Sequence, residues 1–279
     1  MAGEDITVVG DGDLEERIRS ELAQPLGAER QRKFRRFFLA ALGSVPWVGG
    51  FLSAAASLDA EREQQTVNEL QQEWLEEHRA KLAELGKTLL EIIGRLETLG
   101  TEVEQRIQSP EYLGLVRQAF RVWDQSDTSE KRRLIQNLLT NAGGTPLTAD
   151  DVVRLFIQWI DYYHEAHFAV IRCVFQNPAC TRAEIWSHVH GNEVRENSAE
   201  ADLFKLLIRD LSTGGVIRQH RDTTEDGSFV KRTPVRRPKG YGSQVMKSAF
   251  DDVEQYELTE LGNQFVHYTM NEVVPRLGA

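Results

Sequence analysis

Hydrophobic residues recur every three or four positions along most of this chain, and strand-like alternation is confined to short stretches near the C-terminus. This spacing predicts a mainly α protein. Breaks in the pattern divide the chain into an N-terminal amphipathic and basic segment at residues 1–36, a helical domain at residues 37–145 and a third, mixed domain at residues 146–279.

An uncharged run at residues 37–58 is the most unusual feature of the pattern. It follows a basic run from Arg30 to Arg36, and as one helix it would extend roughly 33 Å, enough to cross a bilayer. Pro46 removes a backbone donor, however, and glycines on both sides of it disfavour a helix. We therefore expect an apolar hairpin of two short helices joined at a bend.

Three interpretations of this apolar hairpin stay open. It can be a buried part of a soluble core, a membrane-active segment with a basic cytoplasmic flank, or a surface that binds a protein partner. The side chains that would make the membrane or partner contact are Phe37, Phe38, Leu39, Pro46, Trp47, Val48, Phe51 and Leu52.

A long charged helix is predicted at residues 59–108. Its apolar positions alternate steps of three and four residues, the heptad seam of a coiled coil or of a long antiparallel helix pair. The seam positions are Leu75, His78, Leu82, Leu85, Leu89, Ile92, Leu96, Leu99 and Val103. Between Asp59 and Arg106 there are 12 acidic and 6 basic residues, so this helix is not expected to follow a phosphate backbone.

Capping signals place the helices that follow. The expected starts are at Ser109 with Pro110, at Thr181 with Glu184, at Asn197 with Glu200, and at Thr259. Gly214 and Gly215 end the helix that starts near Asn197, and VIRQH then alternates as a strand. The chain returns as YELTELG, a strand that leads into a closing helix.

This order of helices, strand, long polar loop, returning strand and closing helix predicts a winged-helix domain at residues 146–279. The run YELTELG resembles the second wing strand and exit helix of many bacterial winged-helix proteins. The predicted wing is long, at residues 221–255. Its nucleic-acid or partner-binding residues, with two from the helix before it, are Lys205, Arg209, Lys231, Arg232, Arg236, Arg237, Lys239 and Tyr241.

The helix that would enter a DNA groove argues against that use of the domain. Its start carries Glu193, Glu196, Glu200 and Asp202, which would repel phosphate groups. A protein partner or a homo-oligomer is therefore the first expectation, and nucleic-acid binding through the wing is the second.

Composition and motifs supply no catalytic chemistry. The chain has 41% hydrophobic and 27% charged residues, a net charge of −10 and two cysteines, which is typical of a globular cytoplasmic protein. Asp161, His164 and His167 are expected to be solvated or to cap helices, and Cys173 and Cys180 to be buried, inert thiols. We predict a protein that is not an enzyme and has no catalytic residue, no cofactor and no metal.

Two tracts carry one further resemblance. EYLGLVRQAF and SEKRRLIQNLLTNAG, followed by apolar helices and a winged-helix ending, are similar to the bacterial Abi-alpha phage-resistance family. That resemblance implies an antiphage or stress-response protein that acts through protein contacts, with the apolar hairpin reaching a membrane on activation. The alternative is a winged-helix regulator that binds nucleic acid, or a subunit of a DNA-acting complex.

Overall fold

The computed structural model describes residues 28–50, 69–99, 102–144, 148–192, 194–221, 224–226, 228–230 and 248–271. The described part of the chain is mainly helical, as the hydrophobic spacing predicts. It divides into two compact units, the first reaching Asp161 and including Asn271, the second running from Tyr162 to Met270.

Six helices make up most of the described part of the first unit. They are α1 (Ala28–Leu42), α2 (Glu69–Thr98), α3 (Glu102–Ile107), α4 (Pro110–Gln125), α5 (Ser129–Gly144) and α6 (Asp150–Tyr162). The start of α4 is as predicted, because the Ser109 hydroxyl accepts the backbone N–H of Tyr112 and Pro110 occupies the first turn.

Helices α4 and α5 pack antiparallel. Near the start of α4 the Tyr112 hydroxyl donates to the carbonyl of Leu139 at 2.9 Å, and near its end the guanidinium of Arg132 lies 4.7 Å from the centre of the Trp123 ring. Burial raises the pKa of Tyr112, so its hydroxyl stays a donor at neutral pH. These contacts fix the register of the two helices at both ends.

Helix α2 runs parallel to α5. The Gln136 amide donates to Glu91 at 2.6 Å, and further along both helices Gly143 faces Leu96. A Cβ on Gly143 would lie 2.8 Å from Leu96 Cδ2 and 2.9 Å from the hydroxyl of Tyr112. A residue without a side chain is therefore what lets α2, α4 and α5 approach here.

The long helix predicted at residues 59–108 is divided. Helix α2 ends at Thr98, and a separate helix α3 begins at Glu102. The prediction of one continuous helix to residue 108 is therefore wrong. The divided region contains Gly100 in the sequence, a residue with low helix propensity. Seam positions from Leu82 to Leu96 are buried, and α5 of the same chain packs against α2. A coiled coil stays a prediction.

The predicted bend in the apolar hairpin is confirmed. Helix α1 ends at Leu42, and helical structure resumes at residues 46–50 after a turn in which the Ser44 hydroxyl donates to the Ala41 carbonyl at 2.6 Å. Residues 51–58, the second half of the hairpin, lie outside the described residues. Within the described ranges, every helix is too short or too polar to cross a membrane.

The second unit surrounds a small three-stranded sheet with helices. Its elements are α7 (Glu165–Gln176), β1 (Cys180–Thr181), α8 (Arg182–Val189), α9 (Ala199–Thr213), β2 (Ile217–Gln219), β3 (Gln255–Leu258) and α10 (Glu260–Thr269). The strand order is β1-β3-β2 and both pairings are antiparallel, with Cys180 opposite Tyr256 and Ile217 opposite Leu258.

Caps fix the helix starts in this unit. The predicted capping box of Thr181 and Glu184 is confirmed, and the Thr259 hydroxyl accepts the Gly262 N–H as expected. The start expected at Asn197 is wrong by one residue, because Ser198 is the N-cap and accepts the N–H of Ala201 at 3.2 Å. Ser and Asn cap equally well, so adjacent candidates cannot be separated by residue type.

Candidate interaction surfaces

The outward side of α9 exposes apolar residues. Its inward side chains, such as Phe204 and Leu211, are at most 1% exposed and form part of the core of the second unit. On the outward side Leu203 is 48% and Leu206 is 39% exposed. Because residues three apart are neighbours on a helix, the two leucines form a continuous apolar contact.

Charges of opposite sign flank the two leucines. Asp202 lies on the N-terminal side, and Arg209, whose side chain is 72% exposed, lies on the C-terminal side, 3.7 Å from the carboxylate of Asp210. The cation between them is already compensated: the ammonium of Lys205 is 3.5 Å from Asp202 and 3.8 Å from Glu196. We call Asp202, Leu203, Leu206 and Arg209 the α9 face.

Glu196 ties the loop before α9 to the residues before β3. Its carboxylate accepts the Ser248 hydroxyl and the Ala249 backbone N–H, the latter at 2.9 Å. These two hydrogen bonds lower the pKa of Glu196, which keeps its negative charge at neutral pH. The start of α9 is therefore acidic, as its sequence predicts.

A cationic and aromatic cluster is formed by β2 and the residues after it. Phe229 is 46% exposed, with the guanidinium of Arg218 5.0 Å and that of Arg221 6.0 Å from its ring centre. Arg218 also donates to Glu257 at 2.7 Å, and the same carboxylate contacts His220 at 2.6 Å. Burial raises the pKa of Glu257, but the hydrogen bonds from His220 and Arg218 outweigh it and hold that pKa below its usual value.

The predicted binding residues fall into two groups. Lys205 and Arg209 lie one turn apart on α9. The remaining ones, Lys231, Arg232, Arg236, Arg237, Lys239 and Tyr241, lie outside the described residues.

Half of the apolar hairpin is packed into the first unit. Phe37 is 1% exposed, stacks on Tyr112 at 6.4 Å and meets the edge of Phe120 at 6.5 Å. Val48 is buried as well, and Phe38 is half-buried. On the outer side Leu39 is 61% exposed and Pro46 is exposed, while Phe51 and Leu52 lie outside the described residues.

Trp47 is held by polar contacts from two helices, which sequence reasoning missed. Its indole N–H donates to Asp124 Oδ1 at 2.6 Å, and the Lys81 ammonium lies 2.7 Å from the same oxygen and 5.6 Å from the ring centre. His78 packs edge-on against the ring at 4.9 Å. We call Trp47, His78, Lys81 and Asp124 the Trp47 cluster. A half-buried indole N–H needs a hydrogen-bond acceptor, but the sequence does not indicate which residue supplies it.

His167 has the capping role that the sequence predicts. Its Nδ1 accepts the backbone N–H of His164 at 3.1 Å, its ring stacks on Tyr163 at 4.9 Å, and its Nε2 lies 3.9 Å from Asp210. Burial, with Asp210 and Tyr162 near by, raises the pKa of Tyr163 to about 12. In the described part of the chain, no group of three His, Cys, Asp or Glu side chains could hold a metal ion.

Cys173 and Cys180 are free, buried thiols, as the apolar sequence around them predicts. Burial raises the pKa of both, that of Cys180 to about 12. A protonated thiol is a poor nucleophile, so these residues are inert in the folded state.

Comparison of the chain with protein-family models, with curated proteins and with solved structures finds no match. We therefore infer the function from the residues of this chain and their chemistry.

Proposed function

We propose that this chain is a non-enzymatic protein of bacterial phage defence or stress response, and that its second unit is a winged-helix module that contacts a protein. The element order of this unit supports the module. Helices α8 and α9 follow one another as a helix-turn-helix, and β3 lies between β1 and β2 in an antiparallel sheet. In this interpretation the connection from β2 to β3 is the wing.

The α9 face favours a protein partner over a nucleic-acid partner. The second helix of a helix-turn-helix enters the major groove of DNA, where phosphates line both sides. Here that helix exposes two leucines, and the segment from Glu196 to Asp210 has four carboxylates against two cations, a balance of −2. Exposed leucines beside charges of both signs suit a protein surface better.

The defence role is supported by the resemblance to the Abi-alpha family alone. The two tracts that carry it correspond to α4 and α5, the antiparallel pair at the centre of the first unit. We further propose that the apolar hairpin is sheltered in this unit and reaches a membrane only after the Trp47 cluster opens. The hydrogen bond from the Trp47 indole to Asp124 would have to break for that to happen.

A phage-challenge experiment tests the proposal. The full chain, expressed in a bacterial host, should reduce plaque formation, and Leu203→Glu should abolish the reduction because a carboxylate replaces the centre of the α9 face. Val253→Glu is the matched control, since Val253 is 79% exposed and lies outside α9. Undiminished plaque formation with the unmodified chain would reject the defence role, and equal protection by both variants would reject α9 as the contact.

A second candidate function is nucleic-acid binding through the wing. It is favoured by Phe229, an exposed aromatic ring with two guanidinium groups beside it. Duplex and single-strand binding, measured by fluorescence anisotropy across salt concentrations, tests it. Replacing Arg236 and Arg237 with alanine should flatten the slope of log affinity against log salt by about 0.9 for each lost duplex phosphate contact. Absence of binding at low salt would exclude this candidate.

A further inference from the structure

We infer that the α9 face pairs with the α9 face of a second copy of this chain, with the two helices antiparallel about a two-fold axis. This inference deepens the proposed function, because it names the protein that α9 contacts. It depends on the order of four residues along one side of one helix, namely Asp202, Leu203, Leu206 and Arg209.

The order is self-complementary. In an isologous pair, residue i of one copy meets residue j of the other and the reverse contact is also made. An axis crossing α9 near its middle places Leu203 against Leu206 of the second copy, and Leu206 against Leu203. The same axis brings Asp202 towards Arg209 of the second copy at both ends, so each ion pair is made twice.

Charge complementarity favours a second copy over a different partner. The α9 face is acidic on the N-terminal side of the leucines and basic on the C-terminal side, so a uniformly acidic or basic partner would match only one end. Glu200 adds to the acidic end. The cation nearest the axis, Lys205, is compensated by Glu196 and Asp202 of its own chain, which limits repulsion between the two copies.

Solvent exposure leaves the contact available. Asp202 is 73% and Arg209 is 72% exposed at the side chain, and both leucines are more than a third exposed. The neighbouring acid Asp210 is turned to Arg209 and His167 of its own chain and takes no part. Only the inward residues of α9 contribute to the core, so substitutions on the α9 face leave the packing of the second unit intact.

Sedimentation equilibrium of the full chain tests the pairing. The average mass should rise from 31.7 kDa towards twice that value with concentration. Asp202→Arg and Arg209→Asp should each weaken association about tenfold or more, because each places like charges together at both ends of the pair. The double variant Asp202→Arg/Arg209→Asp restores opposite charges and should recover association to within about threefold of the unmodified chain.

Leu203→Glu should give a monomer at every concentration, and Val253→Glu should behave as the unmodified chain. Thermal melts of each variant check that the fold is retained. The inference is overturned by an unmodified chain that stays monomeric, by a dimer that none of the α9 variants weakens, or by a double variant that associates no better than the single ones.

The same variants separate this inference from the proposed function. If the double variant dimerises but gives no protection against phage, the pairing stands and the defence role is in doubt. If the chain is monomeric yet Leu203→Glu still abolishes protection, the α9 face contacts a different protein and the pairing is wrong.

Discussion

At the scale of single residues, the contacts of Trp47 differ most from what its sequence neighbours suggest. It lies in an apolar run that can be taken for a membrane segment, yet its indole is held by a carboxylate and an ammonium from distant helices. Asp124 and Lys81 are 77 and 34 residues away along the chain, so no local pattern predicts that they meet Trp47. The sequence predicts the bend at Pro46, and only the fold reveals what holds the residue after it.

Removing the carboxylate of the Trp47 cluster should destabilise the first unit. We expect Asp124→Ala to lower the free energy of unfolding by about 1–3 kcal/mol, because the indole N–H and the ammonium both lose their acceptor. Asp124→Asn should cost less, since an amide oxygen can still accept from Trp47. Urea unfolding followed by tryptophan fluorescence measures both, with the exposed Asp127→Ala as control. Equal stability of all three variants would contradict this account.

Two glycines should respond oppositely to alanine. A Cβ at Gly143 meets Leu96 and Tyr112 at under 3.0 Å, so Gly143→Ala should lower the free energy of unfolding by about 1–3 kcal/mol. Nothing lies within 4 Å of a Cβ at Gly94, which is inside α2, so Gly94→Ala should raise that free energy by up to about 1 kcal/mol through helix propensity. Thermal melts of the two variants check the sign, and destabilisation of both would contradict the assigned packing.

At the scale of elements, capping residues were predictable because a cap is a local interaction. The starts of α4, α8 and α10 follow from residues no more than three positions apart. Helix α5 was harder, since its last eleven residues are all buried and its polar side chains are paired inside the fold. Asn137, for example, accepts from Arg95, which is 42 residues earlier in the chain. A helix buried on every side has no amphipathic signal from which its neighbours could be inferred.

The pairing of strands β2 and β3 should lose stability at acidic pH. The folded-state pKa of Glu257 is below its usual value of 4.5, so its pairing with His220 and Arg218 stabilises the fold fully above that value. The contribution then decreases as the pH falls through the lowered pKa. Urea unfolding of the unmodified chain and of Glu257→Gln should differ most at neutral pH and converge once the pH is below that lowered pKa. A difference that is constant with pH would rule out the ionised pair as its source.

At the scale of the whole molecule, the sequence pattern predicts a mixed domain from residue 146, and the second compact unit begins at Tyr162. The same pattern does not decide the membrane hypothesis. The described half of the apolar hairpin contributes Phe37 and Val48 to the core, which agrees with a sheltered segment. Uncharged composition is shared by core helices and membrane helices, so the pattern could not separate the two. Burial against α4 supplies the missing information.

Leakage from anionic vesicles should report whether the apolar hairpin can leave that core. We expect the unmodified chain to cause little leakage and Asp124→Ala to cause more, because the Trp47 cluster no longer holds the hairpin. Adding Trp47→Asp to Asp124→Ala should remove the gain, since a charge in the otherwise uncharged run opposes insertion. Identical leakage from all three proteins would reject the hairpin as a membrane-active element.

The hydrogen bond from the Asn141 amide to the backbone carbonyl of Asn271, 3.2 Å long, has a practical consequence for dissecting the protein. It means that the polypeptide leaves the first unit after Asp161 and re-enters it at residue 271. A fragment truncated at residue 161 therefore lacks an acceptor that α5 uses in the intact chain. To separate the units cleanly, one would excise residues 162–270 and bridge the gap with a flexible linker long enough for Asn271 to reach the end of α5.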